Sequence, residues 1–132
     1  MDIFVGRLMS SPVQTVSRDT PIQAAADLML QHGIGSVVVV DEVGHLEGIL
    51  TATDFVTLAA DGQPAENTEV YEYMTTEVVT TTANDTITDV ADVMLSRGFH
   101  HVPVVDETEG VVGIITTTDF TAYLSESAVT DE

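Results

Sequence analysis

The apolar residues of this 132-residue chain follow two rhythms that alternate, and the whole alternation runs twice. After a short extended stretch around Val13 to Val16, Ala24, Ala25, Leu28 and Met29 recur at the spacing of one helical face. Thr20-Pro21-Ile22-Gln23 reads as the start of that helix, with Thr20 as cap, Pro21 in the first turn and Gln23 closing a capping box. Gly33 reads as its left-handed stop. The rhythm then changes. Ser36 to Asp41 is a β-branched run without alternation, which predicts a strand covered on both faces. Leu46 to Thr51 predicts a second strand, and the short turn Glu42 to His45 between them favours an antiparallel hairpin. A second helix is predicted from near Thr53 through Phe55, Leu58 and Ala59.

The same order returns after Asp61 to Glu69, a polar stretch with Gly62 and Pro64 that reads as a linker. An extended segment around Val78 to Thr81 is followed by a helix with Asp85 as cap, Ile87, Val90, Ala91, Met94 and Leu95 as apolar face, and Gly98 as stop. Strands are predicted over Val102 to Asp106 and Val111 to Thr116, then a helix from near Thr118 through Phe120, Tyr123 and Leu124. Shifted by about 65 residues, the chain aligns on itself without a gap. Met9 falls on Met74, Asp27 on Asp92, Gly33 on Gly98, Val39-Val40-Asp41-Glu42 on Val104-Val105-Asp106-Glu107, and Thr51, Thr53, Asp54 and Phe55 on Thr116, Thr118, Asp119 and Phe120. This is an internal duplication of a β-α-β-β-α unit, an α/β (α+β) fold. The predicted boundaries are 1–60 for the first repeat, 61–69 for the linker, 70–125 for the second repeat and 126–132 for an acidic C-terminal tail. One repeat has too few elements to cover both faces of its sheet. The two are therefore expected to pack sheet to sheet about a pseudo-twofold axis, leaving two related clefts at their interface.

Composition narrows the chemistry. Cysteine is absent, which removes disulfides, thiolate nucleophiles and Cys-based zinc sites. Lysine is absent as well, leaving Arg7, Arg18 and Arg97 as the permanent cations. A formal net charge of −19, spread along the chain, argues against nucleic acid or an anionic membrane as partner. It points instead to a salt-rich cytoplasm and a halophilic origin, because molar salt screens carboxylate repulsion. No stretch is apolar enough to span a bilayer, and Met1 to Ser10 lacks the pattern of a secretory signal, so the expected location is the cytoplasm. Nothing resembles a nucleophile–base pair, a metal-ligand spacing or a glycine-rich phosphate loop, so no enzyme, catalytic residue or metal site is expected.

The motif that carries chemistry is T-x-x-D, at Thr51–Asp54 and Thr116–Asp119, where a strand turns into a helix. It is sufficient as a helix cap. The same geometry offers an anion the open amides of a helix start, and a carboxylate beside it can accept hydrogen bonds from a ribose diol. Met9 to Val16, the strands Val38–Asp41 and Pro103–Asp106, and G-I-L-T-A-T-D-F at Gly48–Phe55 with G-I-I-T-T-T-D-F at Gly113–Phe120 together resemble the CBS domain family in a tandem pair, a Bateman module. The resemblance covers nearly the whole chain, and because no catalytic domain is left over the chain looks like a stand-alone pair. It implies a regulatory module binding an adenosine-type nucleotide: AMP, ATP with Mg²⁺, or S-adenosylmethionine. Carried over, Asp54 and Asp119 would hold ribose, Thr51, Thr53, Thr116 and Thr118 would touch phosphate, and the segments Thr15-Val16 and Thr80-Thr81 would read adenine. His100 and His101 would reach phosphate in the second repeat, where the first repeat has Gly35 and Ser36. The two clefts should therefore differ. The shortage of cations favours ligands of low negative charge. No cofactor is required by this reading. A homodimer through the second helices of each repeat and an unidentified regulated protein are the implied partners. The alternative is a ligand-independent dimerisation or scaffolding module, in which T-x-x-D only caps; it would follow if Asp54 and Asp119 were folded inward against their own backbone and neighbouring side chains plugged both grooves. His32 and His45 are expected to be solvated, and Tyr71, Tyr73 and Tyr123 to be core or interface residues.

Overall fold

The structure, a computed structural model, describes residues 2–11 and 13–130, with backbone alone for 127–130. Pro12 of the Met9–Val16 motif, and Asp131 and Glu132 of the predicted acidic tail, lie outside the described residues, as does Met1. In chain order the elements are α1 (Val5–Leu8), β1 (Thr15–Val16), α2 (Ile22–His32), β2 (Ser36–Val40), β3 (Leu46–Thr51), α3 (Ala52–Asp61), two short 3₁₀ turns (Ala65–Asn67 and Val70–Glu72), α4 (Ile87–Arg97), β4 (His101–Asp106), β5 (Gly110–Thr116) and α5 (Thr117–Thr130). They form two compact units. One comprises Gln14–Val78; the other comprises Met1–Val13 together with Val79–Glu132.

In the Gln14–Val78 unit, β1 pairs parallel with β2, and β2 pairs antiparallel with β3 from Ser36 opposite Thr51 to Val40 opposite Leu46. Val37, Val38 and Val39 are all fully buried, as a β-branched run covered on both faces requires. The core gathers Ile22, Ala25 and Met29 from α2, Val37 and Val39 from β2, Leu50, Leu58 and Val70. In the other unit, β4 pairs antiparallel with β5, and the extended segment contributes a single parallel bridge, Thr81 to Val104. Its core is Val5, Val90, Met94, Val102, Val104 and Ile115. All six residues of the second core have counterparts in the first under the duplication, whereas Ile22 and Leu58 have none in the second, and the register irregularity after Val39 recurs after Val104. Each such buried aliphatic side chain contributes roughly 1.5–3 kcal/mol.

The correspondence exposes a crossed assignment. Val70, which opens the second repeat, completes the core built on the first. Val5, its counterpart, completes the core built on the second. The segment behind each valine then lies along a strand. Ser10 exchanges main-chain hydrogen bonds with Ile114 (2.8 and 3.1 Å), and Thr75 exchanges them with Ile49 (2.9 and 3.0 Å). The approach is so close that a Cβ on Gly113 would meet Ser10 O at 2.9 Å, and one on Gly48 would meet Thr75 O at 2.7 Å.

Two predicted caps differ. Helix α2 starts at Ile22 with Pro21 as its N-cap and no side-chain cap. Thr20 turns its hydroxyl to Ser17 instead (3.0 Å to Oγ, 3.2 Å from the amide), and Gln23 closes no box. The Ile22 amide needs no local cap because the Thr68 carbonyl accepts from it at 2.8 Å. Helix α4 is capped by Thr86, whose hydroxyl accepts from Asp89 N at 3.2 Å, and not by Asp85. Asp85 accepts from the Thr81 hydroxyl at 2.6 Å and from Thr82 N at 2.9 Å. Helix α1 and the 3₁₀ turns were below the length at which periodicity speaks.

Candidate functional site

Each unit brings its own set of predicted residues to the end of its hairpin where the second strand feeds a helix. In the Gln14–Val78 unit, Ser36 at the start of β2 is the register partner of Thr51 at the end of β3. Gly35 O accepts from Ala52 N at 3.1 Å, tying the start of α3 to the same place. A capping box closes there, with Thr51 N–H donating to Asp54 Oδ2 at 2.8 Å and the Thr51 hydroxyl reaching the same oxygen at 3.5 Å. Ser36 is buried, Thr51 and Asp54 are half-buried, and Thr53 is exposed. Burial pushes the Asp54 carboxyl above the ordinary carboxylate range, against the opposing pull of the Thr51 hydrogen bonds.

The other unit repeats the plan with different side chains. His101 is the register partner of Thr116, and His100 O accepts from Thr117 N at 3.1 Å. Thr116 N–H and its hydroxyl donate to Asp119 Oδ2 at 2.8 and 3.2 Å, and Asp119 N–H donates to the Thr116 hydroxyl at 3.3 Å. Here a further residue joins, one that local sequence reasoning missed: the Ser10 hydroxyl donates to Asp119 Oδ1 at 3.1 Å. The two residues are 109 positions apart, so no local signal could have paired them. His101 Nδ1 is buried, with no hydrogen-bond partner among the described residues. Burial, then the neighbouring His100, holds its imidazole below the usual range, while Asp119 pulls the other way. His100 and Thr118 are exposed.

The segments predicted to read adenine, Thr15-Val16 and Thr80-Thr81, lie farther along the sheets. Thr15 and Val16 pair with Val38 and Val39. Thr81 has both its main-chain groups bonded across to Pro103 and Val105, which leaves the exposed Thr80 as the freer of the second pair. A depression of about 510 Å³ lined by Thr15, Val16, Arg18, Asp41 and Glu47 lies toward the hairpin turn, and one of about 100 Å³ runs along Thr80, Thr81, Asp85 and Val102. Neither is lined by Asp54 or Asp119. Both carboxylates do turn back on their own backbone, but only through Oδ2.

Each permanent cation lies over an aromatic ring, and Arg18, which also pairs with Glu47 at 3.7 Å, lines the depression beside Thr15 and Val16. Arg7 lies 5.7 Å from the centre of the Tyr123 ring, Arg18 5.2 Å from that of Tyr71, and Arg97 5.6 Å from that of Phe99. Tyr71 is exposed rather than core, because its ring face serves Arg18. Tyr73 donates to Asp61 at 2.8 Å, and His45 pairs with Asp41 at 3.5 Å. Among the described residues no cluster of three or more His, Cys, Asp or Glu could hold a metal ion, and no helix is long and apolar enough to cross a membrane.

The family whose sequence model matches is described as "CBS domain"; it matches twice, at residues 5–61 and 70–126. Among curated proteins, the chain is 37% identical over 108 residues to the CBS domain-containing protein YhcV of Bacillus subtilis, covering 81% of this chain and 75% of that one. It is 33% identical over 116 residues to an L-aspartate semialdehyde sulfurtransferase of Methanocaldococcus jannaschii, but spans only 22% of that enzyme's length. Among solved structures, the CBS domain pair of protein MJ0100 in complex with 5′-methylthioadenosine and S-adenosyl-L-methionine is 30% identical, with a TM-score of 0.88 over 96% of this chain and 99% of that one. The CBS-domain protein ATU1752 of Agrobacterium tumefaciens is 34% identical, with a TM-score of 0.82 over 92% and 98%.

Proposed function

This chain belongs to the CBS domain family, as a pair of CBS repeats, and from that premise we propose that it is a non-catalytic regulatory module that binds an adenosine-type ligand at its two T-x-x-D junctions. One observation carries the reading. Asp54 caps α3 through Oδ2 alone, and among the described residues its Oδ1 accepts no hydrogen bond. A cap uses one oxygen of the carboxylate, and the second reaches solvent at the start of α3, where it is free to accept from a ribose hydroxyl. The likeness to a CBS pair holding 5′-methylthioadenosine and S-adenosylmethionine supports the adenosine class of ligand.

In this reading Asp54 and Asp119 hold the sugar, the starts of α3 and α5 with Thr51, Thr53, Thr116 and Thr118 face the 5′ substituent, and Thr15-Val16 and Thr80-Thr81 line the base. Ser36 supplies a neutral wall in one unit. His100 and His101 supply two imidazoles in the other, so that unit tolerates a phosphate better. With three arginines against 22 acidic residues, ligands of low negative charge are favoured, and a triphosphate would need Mg²⁺. Ligand binding would favour one conformation, which a partner protein reads as a population shift. Homodimerisation through the second helices and a salt-rich cytoplasmic setting belong to the same proposal.

Calorimetric titration with AMP, 5′-methylthioadenosine and S-adenosylmethionine at high salt tests it. Asp54→Asn and Asp119→Asn retain an oxygen for the cap and remove the carboxylate. Each is expected to weaken one class of site about tenfold with the circular dichroism spectrum unchanged, charged hydrogen bonds being worth about 1.5–3 kcal/mol. No heat with any of the three ligands would leave the ligand-independent scaffold as the function, a reading that the closed capping boxes favour.

A further inference from the structure

The two junctions do not offer a sugar the same number of acceptor positions. An ionised carboxylate has about four lone-pair positions, two per oxygen. At Asp54, Oδ2 receives the amide and hydroxyl of Thr51, and both positions on Oδ1 are open. At Asp119, Oδ2 receives the amide and hydroxyl of Thr116, and Oδ1 already receives the Ser10 hydroxyl. One position remains. The residue corresponding to Ser10 in the other unit is Thr75, which makes the same main-chain exchange with its strand yet no side-chain hydrogen bond to Asp54.

We propose that Ser10 sets the sugar selectivity of the Asp119 junction: by occupying Oδ1 it leaves room for one ribose hydroxyl there, whereas Asp54 receives a vicinal diol through both. This rests on the binding reading above and adds to it a residue and a discrimination. Asp54 demands a ribonucleoside. Asp119 accepts a ribonucleoside and a 2′-deoxynucleoside with similar affinity, unless Ser10 swings aside. Ser10 sits at the surface, its main chain bonded to Ile114 and its hydroxyl to Asp119 Oδ1. The segment that carries it comes from the opposite end of the chain to Asp119. Full engagement of a diol in that unit is therefore coupled to the seating of the N-terminal segment.

The test is a pair of titrations, AMP against 2′-deoxy-AMP, in Asp119→Asn, where the tighter binding step reports the Asp54 junction, and in Asp54→Asn, where it reports the Asp119 junction. At Asp54 the deoxy compound is expected to bind about tenfold more weakly, the usual worth of one hydrogen bond to a charged acceptor. At Asp119 the difference is expected to be about twofold or less. Adding Ser10→Ala to Asp54→Asn should tighten AMP about fivefold, leave 2′-deoxy-AMP nearly unchanged, and so create the discrimination that was missing. Ser10→Thr gives this position the residue of Thr75, which makes no side-chain bond to Asp54, and should shift the ratio in the same direction as Ser10→Ala. A Ser10→Ala variant in which both nucleotides shift together, or neither shifts, overturns the inference, since loss of a merely structural contact would not separate them. If Asp54→Asn binds neither nucleotide, gain of AMP binding on adding Ser10→Ala supports the inference and continued silence overturns it. Silence from the unsubstituted chain as well would bring down the binding reading itself.

Discussion

The two units of this protein have nearly identical cores and unlike junctions. Ala25, Met29, Val37, Val39, Leu50 and Val70 of one match Val90, Met94, Val102, Val104, Ile115 and Val5 of the other, each within its buried cluster. At the helix starts the match breaks. Ser36 faces the register position that His101 occupies in the other unit, and the open oxygen of Asp54 has its counterpart bonded to Ser10. Packing tolerates little variation, because a changed core volume costs stability directly. The helix starts, where Asp54 and Asp119 are only half-buried, carry less of that constraint, and there the two copies diverged. The duplication has thus kept the scaffold and varied the chemistry, which is what two sites of different ligand preference require.

The comparison can be broken at its strongest point first. Leu50→Ala and Ile115→Ala truncate equivalent, fully buried side chains. Each is expected to cost about 2–5 kcal/mol in urea unfolding, and by similar amounts; a large inequality would show that the two cores are not energetically alike. Next come Gly48→Ala and Gly113→Ala, which push a methyl group against Thr75 O and Ser10 O at 2.7 and 2.9 Å. Both are expected to lose about 1–3 kcal/mol, Gly48→Ala slightly the more, by the same measurement. Potassium chloride should then act on both units together. Eleven carboxylates fall in each, against one arginine in the Gln14–Val78 unit and two in the other. The melting temperature should rise from low salt toward 1 M, where the screening length is about 3 Å; a flat response would remove the halophilic interpretation.

The smallest effect separates the units. Folding holds the His101 imidazole below its ordinary value, so below about pH 6.5 the unfolded chain binds more protons than the folded one. The neutral-histidine contribution to stability is complete above that pH and is lost as pH falls through it. His101→Gln should flatten a modest decline in melting temperature between pH 7 and pH 5, while Ser36→Ala in the other unit should leave the profile unchanged. Asp54 runs with the opposite sign at more acid pH, since burial raises its carboxyl and its contribution is lost as pH rises through the raised value.

Much of this was legible in the chain itself. Hairpins and the stops at Gly33 and Gly98 are signals that act within four residues, and the structure keeps them; of the predicted helix faces it buries Ala25, Met29, Leu58, Val90 and Met94 but leaves Ala24, Leu95 and Leu124 exposed. The T-x-x-D caps are equally local, and Thr51–Asp54 and Thr116–Asp119 close as read. The cap at Thr20 misled because a distant carbonyl, Thr68 O, already satisfied the Ile22 amide. Asp85 misled because the neighbouring Thr81 hydroxyl competed for its carboxylate. Local rules count donors and acceptors along the chain and cannot see partners that arrive from elsewhere in it.

By itself, then, the sequence decided the elements, their doubling and the pairing of each threonine with its aspartate, because periodicity and capping are short-range. Only the tertiary structure decided that the segment opening each repeat joins the core built on the other, that Ser10 reaches Asp119 while Thr75 leaves Asp54 open, and that His101 Nδ1 is buried with no partner among the described residues. Those outcomes depend on contacts between residues many tens of positions apart. Such contacts are selected by the burial and hydrogen-bond balance of the whole folded chain, and no local pattern encodes that balance.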